Sequence, residues 1–513
     1  MKADLILYNA NAITLDPKKP KANLIAIKKN RILEVGDHSL LEILTSSKTK
    51  LINCHGKTVV PGFNDAHCHP FALASSLLGV DCSPAQVTGI NDIKVAIHQR
   101  AQKTPPGKWM KATGYNEFYL TEKRHPNRWD LDEATSNHPV KLNHRSGHAC
   151  VLNSPALSLV GINRKTADPP GGIIDRDLQS GEPTGLLFEM NRQVDQTTPR
   201  LTADELERGM KLTNQTYLSQ GITSVQDATA SNDFSQWQSY LRLQDIGILK
   251  SRVYMMLSTT ALSSFMDRGL VSGSRDEHLR LGSMKIIVDE TTGDVYPPED
   301  KLTQQVLQAH RAGFQVALHA IEERPLKAAV SALEQASSYS HRLNLRHRIE
   351  HCSICPPELL GHLKKIGAVI VSQPPFIYYS GERYLAEISP QQLQWLYRFK
   401  SLLETGLTVA GSSDSPVVPN GPLVGICAAI SRKASAGQVI VPEEKITLPQ
   451  ALAMYTINAA YASREEKIKG TISKGKLADL AILDAELHKI PIDEIKNISV
   501  VMTIIDGNIV WEI

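Results

Sequence analysis

The segment Pro61-Gly62-Phe63-Asn64-Asp65-Ala66-His67-Cys68-His69-Pro70 sets two histidines two residues apart at the end of an apparent strand. Alternate residues of a strand face the same side. His67 and His69 would then share a side, and at the C-terminal end of a barrel strand such a pair can hold a metal ion. Among 17 histidines the pair alone is a weak signal. Its weight depends on the rest of the chain.

Short apolar runs suited to buried parallel strands recur downstream, many followed by a helical segment: Val140-Lys141-Leu142-Asn143, Ile222-Thr223-Ser224-Val225, Val253-Tyr254-Met255-Met256-Leu257, Met284-Lys285-Ile286-Ile287-Val288, Val316-Ala317-Leu318, Ala368-Val369-Ile370-Val371 and Leu407-Thr408-Val409-Ala410-Gly411. This alternation predicts an α/β protein with parallel strands, and the number of units favours a (β/α)8 TIM-like barrel over an open sheet. His319 and His351 each end such a run and lie roughly 30 residues apart, the length of one strand–helix unit. Asp414, in Gly411-Ser412-Ser413-Asp414-Ser415-Pro416, follows about two units later, with a strand ending near Ser372-Gln373-Pro374 between. All can fall on one rim; the alternative is polar residues scattered over strand ends. Lys285 sits inside an apolar run, where an ammonium must be paired or chemically altered. It can form an ion pair with Asp289 or Glu290, or its neutral amine can capture carbon dioxide as a carbamate able to bridge two cations.

The two ends of the chain read differently. Residues up to about 57 and from about 466 onward are short strand-like runs broken by turns such as Asp16-Pro17-Lys18-Lys19-Pro20 and Asp506-Gly507. Short terminal strands cannot bury a face alone, so residues 1–57 and 466–513 are expected to join in one β-domain around a barrel spanning 58–465. The span from His69 to Lys285 exceeds what barrel units need, which assigns an insertion within about 71–220 that can cover the site and set substrate choice.

The chain has 513 residues, 42% of them hydrophobic, with 56 Lys+Arg against 53 Asp+Glu and a formal net charge of +3. This balance argues against a nucleic-acid partner and against disorder. Seven cysteines suggest no disulfide framework, the start lacks a secretion-like apolar core, and no apolar run is long enough to span a membrane. The expectation is a cytoplasmic protein acting on a small molecule, with homo-oligomerisation left open. Cys68 and the pair Cys352 and Cys355 are read as packing residues. Glu189 is a further carboxylate for the site, with an ordinary surface or paired glutamate as the favoured reading.

The chain resembles the amidohydrolase superfamily, within it the amidohydrolase family 3 or YtcJ-like branch of metal-dependent hydrolases. The matching segments are Pro61-Gly62-Phe63 through His69, Gly147-His148 with Asn153-Ser154-Pro155-Ala156-Leu157, Asp168-Pro169-Pro170-Gly171-Gly172, Pro183-Thr184-Gly185, His319-Ala320, Arg348-Ile349-Glu350-His351, Gly411 through Asp414, and Gly475-Lys476-Leu477-Ala478-Asp479-Leu480. The resemblance implies a distorted barrel with a β-sandwich from both termini, and hydrolysis of an amide, cyclic amide or related bond. It also implies His67, His69 and Asp414 on one metal, His319 and His351 on another, and a carboxylated Lys285 between them. Zinc suits such ligands, with manganese, iron or nickel as alternatives. Asp414 would be the general base. His148, Arg145 and Tyr378 are the candidate substrate-binding residues. Two departures touch the pocket: Glu322-Glu323 follows Ile321 where members often have Gly-Asp, and Asp289-Glu290 stands where Asp-Gly often follows the lysine strand. Two other readings are a mononuclear aminohydrolase, with Lys285 merely structural, and a non-catalytic binding protein on the same scaffold.

Overall fold

A computed structural model describes residues 1–290, 293–339 and 345–513. Eight parallel strands form the centre, in chain order Phe63–Cys68, Ile222–Asp227, Arg252–Ser258, Leu279–Ile287, Val316–Ala320, Arg348–His351, Val369–Ser372 and Thr408–Gly411. Each pairs with its sequence neighbour. Between the last strand and the first, the Asp414 N–H donates to the His67 carbonyl and the His69 N–H to the Ser415 carbonyl, both at 2.8 Å. The result is a nearly closed barrel ringed by helices.

The helices form where apolar spacing and caps agree. Helix Ala203–Ser219 starts at Thr202, whose hydroxyl accepts from the Glu205 N–H while Glu205 accepts from the Thr202 N–H, a reciprocal cap. Its buried face includes Met210, Tyr217 and Leu218. Gly209 lies against the Ala74 carbonyl of helix Pro70–Leu78, and a Cβ there would come within 2.8 Å of that oxygen. Helix Ala203–Ser219 leads into the second barrel strand through Gly221, whose φ of 72° suits glycine.

Both termini build a second, eight-stranded sheet. Its path runs Asn508–Glu512, Val500–Ile505, Leu480–Leu483, Thr58–Pro61, Leu5–Ile13, Lys21–Lys28 and Arg31–Gly36, with Lys50–Asn53 paired to Leu5–Ile13. Thr58–Pro61, adjoining the boundary read at residue 57, pairs antiparallel with Leu480–Leu483 and passes through Gly62 into the first barrel strand. The buried residues Leu7, Ile25, Ile27, Val59, Leu480 and Ile504 form its core.

A third sheet lies between the first two barrel strands in sequence. It has six strands, ordered Ile173–Arg176, Pro183–Phe188, Ala149–Leu152, Val140–His144, Met110–Tyr115 and Val80–Asp81. Val140–Asn143 therefore corrects the sequence reading: its apolar run suits a barrel strand, but it pairs parallel to Met110–Tyr115 and antiparallel to Ala149–Leu152. Apolar content reports burial and carries no information on which sheet does the burying. The insertion has its own core, with Ile93, Ile97, Leu131, Leu142 and Val151 among its buried side chains.

Candidate metal centre

The first barrel strand delivers His67 and His69 to the rim. Their rings lie 5.4 Å apart, and Asp414 meets both: Oδ1 is 3.0 Å from His69 Nε2 and 3.4 Å from His67 Nε2. The ligand atoms of these three residues all lie within 4.8 Å of one another. His351 stands 4.8 Å from His67 and 4.3 Å from His319, ring centre to ring centre. Four imidazoles from strands one, five and six thus converge with a carboxylate from the loop after strand eight.

Two ligand candidates leave regular backbone geometry. Asp414 has φ of 58° and His351 of 71°, with Cys352 following at 50°. Such values are costly outside glycine and persist where surrounding structure imposes them, commonly at functional sites. They also answer a problem of alternation. Arg348 and Glu350 share the inward face of their strand, so His351 would point away if the strand continued regularly.

Three of the four histidines, His67, His351 and His69, are oriented by a second contact. Glu350 Oε2 accepts from His67 Nδ1 at 2.6 Å. A carboxylate only accepts, so Nδ1 carries the proton and the Nε2 lone pair faces Asp414. His351 Nδ1 likewise donates to Gln373 Oε1 at 2.9 Å, and Gln373 Nε2 donates to Ser412 Oγ at 3.1 Å. His69 Nδ1 lies 2.9 Å from Thr229 Oγ1. Glu350 is held by Arg348, whose Nε reaches Oε1 at 2.7 Å and whose Nη2 reaches Oε2 at 3.1 Å. The same guanidinium donates to Gln226 Oε1 and to the Ala66 carbonyl, tying strands one, two and six below the rim.

Burial sets the charge states. It pushes His67 and His319 well below the ordinary imidazole value and His351 to about 4, with Lys285 adding to the effect on all three. Neutral imidazole is the metal-binding form. Burial alone would raise the Asp414 pKa, but His67, His69 and His351 hold it well below the usual carboxylate range. Lys285 is buried, and desolvation lowers it to about 8 against the opposing pull of Glu350 and Asp414. Its Nζ makes no hydrogen bond or ion pair among the described residues.

The insertion supplies His148, whose ring lies 6.1 Å from that of His319. Glu189, with φ of 54°, is paired as expected: its Oε1 lies 2.7 Å from His148 Nδ1. Burial opposes protonation of His148, but the Glu189 hydrogen bond and charge raise its pKa. Arg145 reaches the carbonyls of Val417 and Tyr379 on the barrel rim. Tyr378 packs edge to face on Tyr379, centres 5.0 Å apart, and no contact among the described residues joins its side chain to the histidines. The departure at Glu322 is felt: burial, with Glu290 adding, raises its pKa. Cys68 faces the packed side of its strand, 3.9 Å from the Tyr217 hydroxyl. All seven cysteines are buried and unbridged.

Glu350, Arg348, Gln373 and Thr229 went unassigned in the sequence reading. Glu350 and Arg348 had a usable signal, since two charged residues on the inner face of a buried strand must find partners.

A family model described as the amidohydrolase family matches residues 50–511. The chain belongs to the amidohydrolase family. This amidohydrolase is 28% identical over 537 residues to the N-substituted formamide deformylase of Arthrobacter pascens, covering 99% of this chain and 98% of that one. It is 26% identical over 498 residues to the putative amidohydrolase YtcJ of Bacillus subtilis, covering 92% of each. Among solved structures, an uncharacterized metal-dependent hydrolase from Pyrococcus furiosus superposes with a TM-score of 0.74 at 25% identity, covering 94% of this chain and 99% of that one. The amidohydrolase is an enzyme, and its class is metal-dependent hydrolysis of carbon–nitrogen bonds. No helix among the described residues is long and apolar enough to cross a membrane.

Proposed function

We propose that the protein cleaves an amide, cyclic amide or related non-peptide C–N bond of a small molecule, with Asp414 as the general base. The observation that carries this reading is the meeting of His67, His69 and Asp414 within 4.8 Å at the rim of a barrel. Their donor set fits a divalent cation, with zinc favoured by imidazole and carboxylate ligands. When bound, such a cation supplies acidified water and a polarised substrate carbonyl.

This chain's own groups do the rest. Asp414, ionised at neutral pH, takes the proton of the attacking water and returns it to the leaving nitrogen. Glu350 and Gln373 keep the rings of His67 and His351 in the tautomers that offer Nε2. The insertion, through His148 and Arg145, covers the rim and limits bulk water. His319, His351 and a carboxylated Lys285 would hold a second cation, a reading supported by the buried, unbonded Lys285 Nζ, since a carbamate would exchange an orphaned ammonium for two acceptor oxygens. A mononuclear aminohydrolase is the second reading, favoured by the fact that only His67, His69 and Asp414 form a three-ligand cluster among the described residues.

Elemental analysis and intact mass separate the two. Two ions per chain with a mass increment of one carbon dioxide support the binuclear form; one ion and no increment supports the other. Asp414→Asn should abolish turnover across an amide panel while leaving the far-UV spectrum of the fold intact. Near-normal turnover by that variant would sink the assignment.

A further inference from the structure

A second cluster of reactive side chains lies in the insertion. Strand Met110–Tyr115, helix Arg128–Ala134 and strand Val140–His144 form a parallel βαβ unit, in which Tyr115 pairs with His144 at the carboxyl ends of the two strands. Such ends are where α/β sheets place their binding and reactive groups. Glu117 lies two residues beyond the first strand and Ser146 two beyond the second. Ser146 Oγ is 2.8 Å from His144 Nδ1, and His144 Nε2 is 2.8 Å from Glu117 Oε2. His125 Nδ1 stands 3.7 Å from the same carboxylate oxygen.

The protons are placed for nucleophilic attack. The Ser146 N–H donates to His144 Nδ1 at 3.2 Å, so that nitrogen offers a lone pair and the ring proton sits on Nε2, beside Glu117. The His148 N–H donates to Ser146 Oγ at 3.2 Å, which leaves the hydroxyl proton for Nδ1. His144 is buried and Ser146 half-buried. Burial, with Arg383 and Arg145 adding, keeps His144 below the ordinary imidazole value against the pull of Glu117. Burial would raise Glu117, but His144 and His125 hold it at about 2. At neutral pH the cluster is therefore a hydroxyl, a neutral imidazole and a carboxylate. The contact between His144 Nε2 and Glu117 Oε2 is short but not straight, and neither atom completes a hydrogen bond among the described residues. Contacts of this kind tighten once substrate is bound, and a ring that has gained a proton is drawn to the carboxylate. An ordinary loop turn accounts for the bond from the Ser146 N–H; it gives no reason for a carboxylate of another loop set against the far ring nitrogen.

We propose that Ser146, His144 and Glu117 form a second catalytic centre, a serine nucleophile with its base and orienting acid, that hydrolyses small carboxylic esters through an acyl-serine. Such a centre is defined by the geometry and roles of its groups rather than by their order in the chain. Ser146 Oγ attacks the ester carbonyl carbon while its proton passes to His144 Nδ1; the C–O bond to the alcohol breaks and the alcohol leaves with that proton. Water then attacks the acyl-serine in the same way, restoring the hydroxyl and releasing the acid. The guanidinium charges of Arg383 and Arg145 that bear on His144 favour the oxyanion formed in each attack.

The test uses the full-length, metal-loaded protein and two probes, p-nitrophenyl acetate and an alkyl fluorophosphonate. Samples quenched in acid during acetate turnover should carry an acetyl group on the peptide containing Ser146, and the fluorophosphonate should modify the same hydroxyl and stop ester turnover. Ser146→Ala should remove both adducts. His144→Gln should slow both modifications by about 100-fold or more, the scale of general-base catalysis, and Glu117→Gln should slow them in the same direction. Ester turnover with no acyl group on Ser146 would assign that activity to the metal centre and overturn the proposal, as would a wild-type chain that neither probe modifies. Modification of Ser146 at a rate that His144→Gln leaves unchanged would mark a merely exposed hydroxyl and overturn it too. Labelling of the wild-type chain needs no variant, so its outcome stands whether or not the variants fold.

Discussion

Glu350 illustrates how much of this site is built one residue behind the ligands. It has no exposed surface, accepts from His67 Nδ1 and is neutralised by the paired guanidinium of Arg348. Glu350→Gln keeps the shape but removes the charge that orients the imidazole and raises its basicity. Metal affinity should fall by about 10- to 100-fold, read as retained metal after dialysis against graded chelator. Unchanged retention would mean that His67 is positioned by packing alone. At this scale the sequence was informative wherever a residue type was out of place: histidines at strand ends, or a lysine within Met284-Lys285-Ile286-Ile287-Val288. It was silent on Gln373 and Thr229, since an amide or hydroxyl at a strand end is ordinary until its partner is known.

At the scale of elements, strands five and six are linked by a buried side chain as well as by their ladder. His347 precedes strand six, and its Nδ1 accepts from the Val316 N–H of strand five at 3.0 Å, while its Nε2 lies 3.0 Å from His310 Nδ1. Burial, reinforced by His310, lowers its pKa to about 3. The sign follows from linkage. Above the ordinary imidazole value of about 6.5, folded and unfolded chains are both neutral here and the contribution is complete. As pH falls below it, the unfolded chain takes up a proton that the folded chain refuses, and stability is lost progressively toward the folded pKa. Other buried histidines act in the same direction, so the measurement is a difference. The urea midpoint of wild type should fall more between pH 7 and pH 5 than that of His347→Asn, and parallel curves would contradict the assignment. Elements were legible because a run such as Val253-Tyr254-Met255-Met256-Leu257 has few alternatives to a buried strand. Val140–His144 shows the limit of that reading, since a βαβ unit in the insertion leaves the same local trace as one in the barrel.

At the scale of the whole molecule, a buried ion-pair cluster joins the barrel to the terminal sheet. Arg252, in the third barrel strand, donates from Nε to Asp479 Oδ2 at 2.7 Å, and from Nη2 to Asp479 Oδ1 at 3.0 Å and Asp506 Oδ1 at 2.6 Å. Asp479 closes the segment Gly475-Lys476-Leu477-Ala478-Asp479, and Asp506 sits in the turn before the last strand. The two carboxylates raise the Arg252 pKa against burial that would lower it. Arg252→Met would strand two carboxylates at this junction and should cost about 3–5 kcal/mol in chemical denaturation. A loss below about 1 kcal/mol, the range of exposed pairs, would show that water compensates them.

The sequence by itself determined the class of architecture and most of the barrel strands, and it singled out the four histidines and the aspartate that meet at the rim. Burial periodicity and misplaced polar residues are local properties, written in the order of the side chains. Tertiary structure alone decided which sheet takes Val140–His144, how Glu350 and Gln373 set the histidine tautomers, and where Arg145 comes to rest. Those outcomes depend on contacts between residues up to 283 positions apart, as in His67 with Glu350. Such a contact has no signature in either segment until the barrel closes and brings the two together.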